Sequence, residues 1–281
     1  MSGTLREGEG YSDLVRVMQA EVANARVALD RTGESPQFAV HEARKAIKRV
    51  RALARLVRTA DRDMARRIDA AARRAGDVLA EARDADSLEG IVARLLEDDA
   101  GPGTRSALEE IAAPARQDRE RIDLAAAVAQ AQSALDAVDR LLAAIRPADG
   151  PGIAMAKGLA RTWRRAAKRL DAARDKPDGK RLHALRRRVQ DWRYQVDALE
   201  PVWPDGVYAR RAEAERLSDL LGEHHDLTRL AERLDRLAEA GAALDEVDRR
   251  RDRLEKEALD LAGEIFGRKP KGLKKALEAG F

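Results

Sequence analysis

The chain contains no cysteine. Disulfides and thiolate metal centres are thereby excluded, and a reducing compartment fits. No uninterrupted apolar run approaches the ~20 residues that cross a bilayer. Met1 to Gly10 is polar and partly acidic, without the apolar stretch of a secretory signal. A cytoplasmic protein is expected, with residues 1–10 a loose tail. Aromatic residues make up only 3%, so the core must be built mostly from Ala, Leu and Val. Strand formers are poorly represented, and the Ala, Leu, Arg and Glu that dominate favour helix. Nor does charge of one sign prevail: 54 Lys and Arg against 50 Asp and Glu leave a formal +4. An anion-binding role would therefore rest on segregation of charge rather than on its total. There is no Gly-rich phosphate loop, no nucleophile elbow and no conspicuous carboxylate pair, so no catalytic residue and no cofactor is expected.

What the chain does have is charge sorted by helix face. An α-helix turns about 100° per residue. From Pro36 to about Ala60 this places His41, Arg44, Lys45, Lys48, Arg51 and Arg55 on one side, and Ala43, Ile47, Val50, Ala54 and Val57 on the other. The division returns with His183, Arg186, Arg187, Gln190 and Arg193 against Leu185, Val189, Trp192, Val196 and Leu199. A histidine-headed cationic stripe thus backs onto an apolar stripe fit for a core, twice.

The two copies keep one register. His183 follows His41 by 183 − 41 = 142 positions, and His225-Asp226 follows Arg83-Asp84 by the same 142. Asp77-Val78-Leu79 likewise falls over Asp219-Leu220-Leu221. The expected fold is all-α: two tandem antiparallel helical bundles of about four helices each, related by a pseudo-two-fold axis, with a basic groove between them. The expected boundaries are an N-terminal half over 11–145, a Pro/Gly-rich linker over 146–152 and a C-terminal half over 153–281. Breaks are predicted at Arg83–Asp86, near Pro114 within a helical stretch from Ser106 to Ile145, and at Gly222–Asp226.

These residues carry a resemblance to a known family. The helices His41…Arg44-Lys45…Lys48-Arg49-Val50-Arg51 and His183…Arg186-Arg187…Arg193-Tyr194 resemble the CHAD family, the conserved histidine alpha-helical domain. So do the turn Leu221-Gly222-Glu223-His224-His225-Asp226 and the segment Ile265-Phe266-Gly267-Arg268-Lys269-Pro270. The likeness covers about residues 10–281. It implies two four-helix bundles around a basic central pore that binds inorganic polyphosphate, and association with polyphosphate granules. This chain departs from the pattern at Gln190 and Asp191, where the first copy has Lys48 and Arg49, so its second stripe is weaker. Family members often carry a triphosphate tunnel domain with an E-x-E-x-K strand. Glu7-Gly8-Glu9-Gly10 lacks the lysine, so a stand-alone member is expected.

The candidate polyphosphate ligands are therefore His41, Arg44, Lys45, Lys48, Arg51, Arg55, His183, Arg186, Arg187, Arg193 and Tyr194. Lys157, Arg161, Arg164, Arg165 and Lys168 join them, because the stretch from Ile153 holds no acid before Asp171 and is expected to wall the same groove. Glu42 is the only acid within the first stripe; like charges three and four residues apart destabilise a helix, and a polyanion would offset that. Non-enzymatic binding is the leading expectation. The alternative is a nucleic-acid-binding module, less favoured because the stripes offer almost no aromatic platform; a phosphate-ester or polyphosphate hydrolase comes last. No metal site is expected. His224 and His225 are adjacent and point in different directions, and no third ligand stands at a suitable spacing. The charged helix beyond Glu232 reads as a solvated face, its Arg and Glu/Asp interspersed.

Overall fold

The computed structural model describes residues 10–56, 58, 60–97, 102–146, 151–200 and 204–267. The tail up to Glu9, the centre of the linker, Trp203 and the Lys269–Lys275 segment lie outside it. Among the described residues all regular structure is helical: α1 (Gly10–Leu29), α2 (Pro36–Ala54), α3 (Arg62–Val78), α4 (Ala80–Glu97), α5 (Pro102–Arg121), α6 (Leu124–Ala143), α7 (Pro151–Asp175), α8 (Gly179–Leu199), α9 (Pro204–Leu234) and α10 (Gly241–Phe266).

Local chemistry sets the starts. Helix α2 opens with Pro36 in its first turn, where no N–H is required. Asp61 caps α3, accepting from the N–H groups of Asp63 and Met64. Asp123 caps α6 through the N–H of Ala126, and Asp178 caps α8 through that of Arg181 at 2.7 Å. Each cap satisfies donors that a helix start leaves without partners, worth about 1 kcal/mol.

Helices α1, α2, α3 and α6 pack as one bundle, and α7, α8, α9 and α10 as another, with α2 crossing α8 between them. Gln195 of α8 donates to the Ala52 carbonyl of α2 at 2.7 Å. Since 195 − 142 = 53, the two partners stand at near-equivalent positions in the 142-residue register. One continuous core joins both bundles: Val50, Leu53 and Leu56 with Leu185, Val189, Trp192 and Val196. Phe266, near the end of α10, lies edge-on to Trp192 at 5.9 Å and tilted against Trp163 at 6.5 Å.

The halves differ in one way that the sequence reading did not anticipate. Adding 142 to Arg62 gives 204, the first residue of α9, so the single helix α9 stands over α3 and α4 together. The first half breaks at Leu79, whose image Leu221 lies inside α9. The break turns α4 and α5 onto α9 and α10, while α4 keeps contact with α2 and α3. There Leu88, Ile91, Val92, Leu95, Leu108 and Ile111 form a second apolar cluster with Leu227, Leu230, Leu234 and Val247. Helix α6 takes the place beside α1 and α3 that α10 holds beside α7 and α9.

Three predicted breaks are corrected. Helix α4 runs through Arg83–Asp86, whose side chains lie outside the described set, and α9 runs through Gly222–Asp226. Pro114 sits inside α5, and the chain turns at Asp123, where the cap is. A proline removes one N–H; a capping carboxylate both ends one helix and starts the next.

Candidate anion-binding cleft

Helices α2, α8, α9 and α10 enclose a cleft of about 1110 Å³, above the ~300–1,000 Å³ usual for a small-molecule pocket. Ten Lys and Arg line it against five Asp and Glu. The chain's modest excess of positive charge is thus concentrated here.

Eight of the sixteen candidate ligands come together in the cleft: Arg44, Lys48, Arg51, Arg55, His183, Arg186, Arg187 and Tyr194. Arg44 donates to the Gly76 carbonyl of α3. Arg186 lies beside Gly222 of α9, its guanidinium 3.8 Å from where a Cβ would stand.

Arg51 and Arg55 are less available than their helix alone suggested, because acids reach them from other helices. Asp69 of α3 accepts from Arg51 and Arg55, each at 2.8 Å. Arg55 also pairs with Asp191 of α8, which in turn lies 3.0 Å from Arg188. A ladder Arg51–Asp69–Arg55–Asp191–Arg188 thus ties the two halves together. Burial alone would raise Asp69, but Arg55 and Arg51 hold it below the usual carboxylate range. Burial works against the Arg55 charge, and Asp191 and Asp69 more than offset it. Asp191 is the most enclosed member; burial pushes its carboxyl up against the pull of Arg55 and Arg188. Its presence in place of a cation on the second stripe therefore serves the junction of the two halves.

The cleft also holds residues that the sequence reading did not select: Lys180, Arg188, His225, Arg229 and Arg251. His225 and Arg229 are one helical turn apart, a spacing that becomes visible once α9 is one helix. Arg251 projects from the charged helix α10, whose other arginines largely keep to intrahelical acids: Arg249 and Arg250 pair with Glu246, and Arg251 itself with Asp248 at 2.6 Å. The imidazoles of His183 and His225 lie 4.5 Å apart and tilted by 42°. Burial, then Arg186 and Arg187, push His183 below the ordinary histidine value. The neighbouring His224 points the other way, into the bundle. Burial and Arg251 push it down to about 4, with Asp252 opposing.

The remaining candidates lie outside the cleft lining. His41 is exposed, 4.0 Å from Glu42, and Lys45 pairs with the same acid at 3.5 Å. Arg193 turns to α9, where it meets Glu215 and Asp219. Lys157, Arg161, Arg164, Arg165 and Lys168 do not wall the cleft; α7 lies beside α8 and α10, with Lys157, Arg164, Arg165 and Lys168 exposed. The missing charge of the second stripe is made up instead by α8, α9 and α10. Tyr194 is buried, with the Arg49 guanidinium 5.5 Å from its ring centre, and burial pushes its phenol up. Among the described residues no group of His, Asp and Glu is placed to hold a metal ion. No helix of the described residues is long and apolar enough to cross a membrane.

Residues 14–235 match the CHAD domain family. Among solved structures, the crystal structure of the CHAD domain from the plant Ricinus communis is similar to this chain, with a TM-score of 0.53 and 16% identity. The likeness covers 99% of this chain and 94% of that one, and it shows the fold. A comparison with curated proteins found no match.

Proposed function

We propose that this chain, which belongs to the CHAD family, binds inorganic polyphosphate in its cleft without reacting with it, and thereby associates with polyphosphate granules. The observation that carries this reading is the make-up of the cleft: ten cations and two imidazoles, with a buried tyrosine its sole aromatic lining. A phosphate chain needs charge and donors at every unit, which arginine forks and lysine ammonium groups supply. A single-stranded nucleic acid needs faces for its bases as well, and the Tyr194 ring is covered by Arg49.

The test compares long-chain polyphosphate with single-stranded RNA and duplex DNA at matched salt, on the wild type and on Lys48→Glu/Arg187→Glu. These two residues face the cleft from different halves. Polyphosphate is expected to bind tightest, and the double reversal to weaken it at least ~100-fold, from two charged contacts of about 1.5–3 kcal/mol each. Tighter binding of RNA or DNA would establish the nucleic-acid reading instead. Orthophosphate released from polyphosphate, with divalent cations present, would show an enzyme.

A further inference from the structure

The arginines of α7 that miss the cleft gather at a second place. Helix α7 approaches the α2–α3 turn so closely at Gly158 that a Cβ there would overlap the Leu56 carbonyl. This brings Arg58, two residues on, against Arg161 and Arg165, which lie one and two turns beyond Gly158. Arg62 and Arg66, at the start of α3, are also near enough to repel Arg58. Arg58 is half-buried, and its Nε is enclosed without a hydrogen-bond partner. Burial and then repulsion from Arg165, Arg66, Arg161 and Arg62 hold it below the ordinary arginine value.

Acids do little to neutralise this group. Asp61 is engaged in capping α3, and Asp63 reaches Arg66 at 3.6 Å on the surface. Arg62, Arg161 and Arg165 have no ion pair with a described residue. The patch also adjoins the cleft. Arg188, part of the cleft lining, is repelled by Arg55 and Arg187 within it and by Arg165 outside it.

We propose that Arg58, Arg62, Arg161 and Arg165 form a second phosphate-binding station, continuous with the cleft past Arg188, which a polyphosphate chain occupies once it is too long for the cleft alone. The inference rests on polyphosphate being the ligand of the cleft. It makes chain length the property that the protein discriminates. A short oligomer satisfies the cleft and leaves the outer arginines to solvent. A long chain engages both, gaining effective concentration from its first contact.

The experiment uses tripolyphosphate and long-chain polyphosphate as probes on the full chain, with Arg161→Gln/Arg165→Gln as the variant. Both positions lie on the outer side of α7, so the fold is expected to survive, and tripolyphosphate affinity with far-UV circular dichroism reports on that directly. Long-chain affinity is expected to fall roughly tenfold or more, and the slope of log affinity against log salt to become shallower by about 1.4 for two lost cations. Tripolyphosphate affinity should not change. If both probes bind as to the wild type, or if both weaken equally, no separate station exists and the proposal is overturned. Failure of the polyphosphate reading looks different: Lys48→Glu/Arg187→Glu would then leave binding of both probes intact.

Discussion

His183 and His225 sit at the most charge-sensitive point of the cleft. Their rings are 4.5 Å apart, so two protonated imidazoles would repel. Facing them are Arg186 and Arg187 of α8, with Lys180, Arg229 and Arg251 on the same wall. Burial, then Arg186 and Arg187, depress the His183 pKa; phosphate oxygens beside it would raise it again. Binding therefore takes up a proton, and affinity should rise as pH falls from the raised bound value towards the depressed free value, and level off below that. Long-chain polyphosphate is the suitable probe, because its inner units carry no proton that titrates there. Titrations between about pH 8 and 5 should show this rise in the wild type and lose it in His183→Gln/His225→Gln. A double variant with the wild-type pH profile would rule out the coupling. His183 was legible in the sequence because it heads a stripe at helical spacing. His225 was not, because its value depends on α9 passing unbroken through Gly222, a residue that alone reads as a turn.

At the scale of elements, the least legible feature is the α4–α5 hairpin. Its apolar residues, Leu88, Ile91, Val92 and Leu95, recur at helical spacing, but spacing does not say which bundle they join. A break at Leu79 decides that, by turning the first half's third helix into two and sending the second across the repeat boundary. The hairpin then buttresses the α9 and α10 walls of the cleft from behind. Leu108 is 1% exposed in that interface. Leu108→Ala should cost roughly 2–5 kcal/mol, seen as a lower urea midpoint. Because Leu108 belongs to the apolar cluster that the hairpin shares with α9 and α10, the loss should also loosen the Arg229 and Arg251 side of the cleft. Hydrogen exchange should speed up in α9 and α10 before α1–α3. Uniform acceleration throughout would mean that the two apolar clusters unfold as one unit and that the hairpin has no local role. The same logic explains the ladder: Asp69 and Asp191 are distant in sequence from Arg55, so a single stripe could not reveal that its last two arginines are half-committed to holding the bundles together.

For the molecule as a whole, the near-balance of 54 basic and 50 acidic side chains means that the local field of the cleft governs binding. Ten cations less five carboxylates leave +5 there, more than the +4 of the entire chain. If fixed carboxylates cancel cations that would otherwise hold counterions, log affinity for a cleft-sized polyphosphate should fall with log salt at a slope of about −3.5, using ~0.7 per effective charge. Were all ten cations to count, it would be about −7. Glu232 and Asp235 separate the cases, since both are exposed residues of the cleft lining, on α9 and just past its end, and neither belongs to the ladder. Glu232→Gln/Asp235→Asn raises the local charge to +7 and should steepen the slope to about −5, with tighter binding at low salt. Glu109→Gln/Glu110→Gln changes the total charge by the same amount on the exposed side of α5, outside the cleft, and should leave the slope alone. Equal steepening by both pairs would mean that the ligand senses net charge and ranges over the surface. No steepening by the first pair would place the anion away from α9, against α2 and the first half of α8, where the Asp191 ladder already spends part of the available charge.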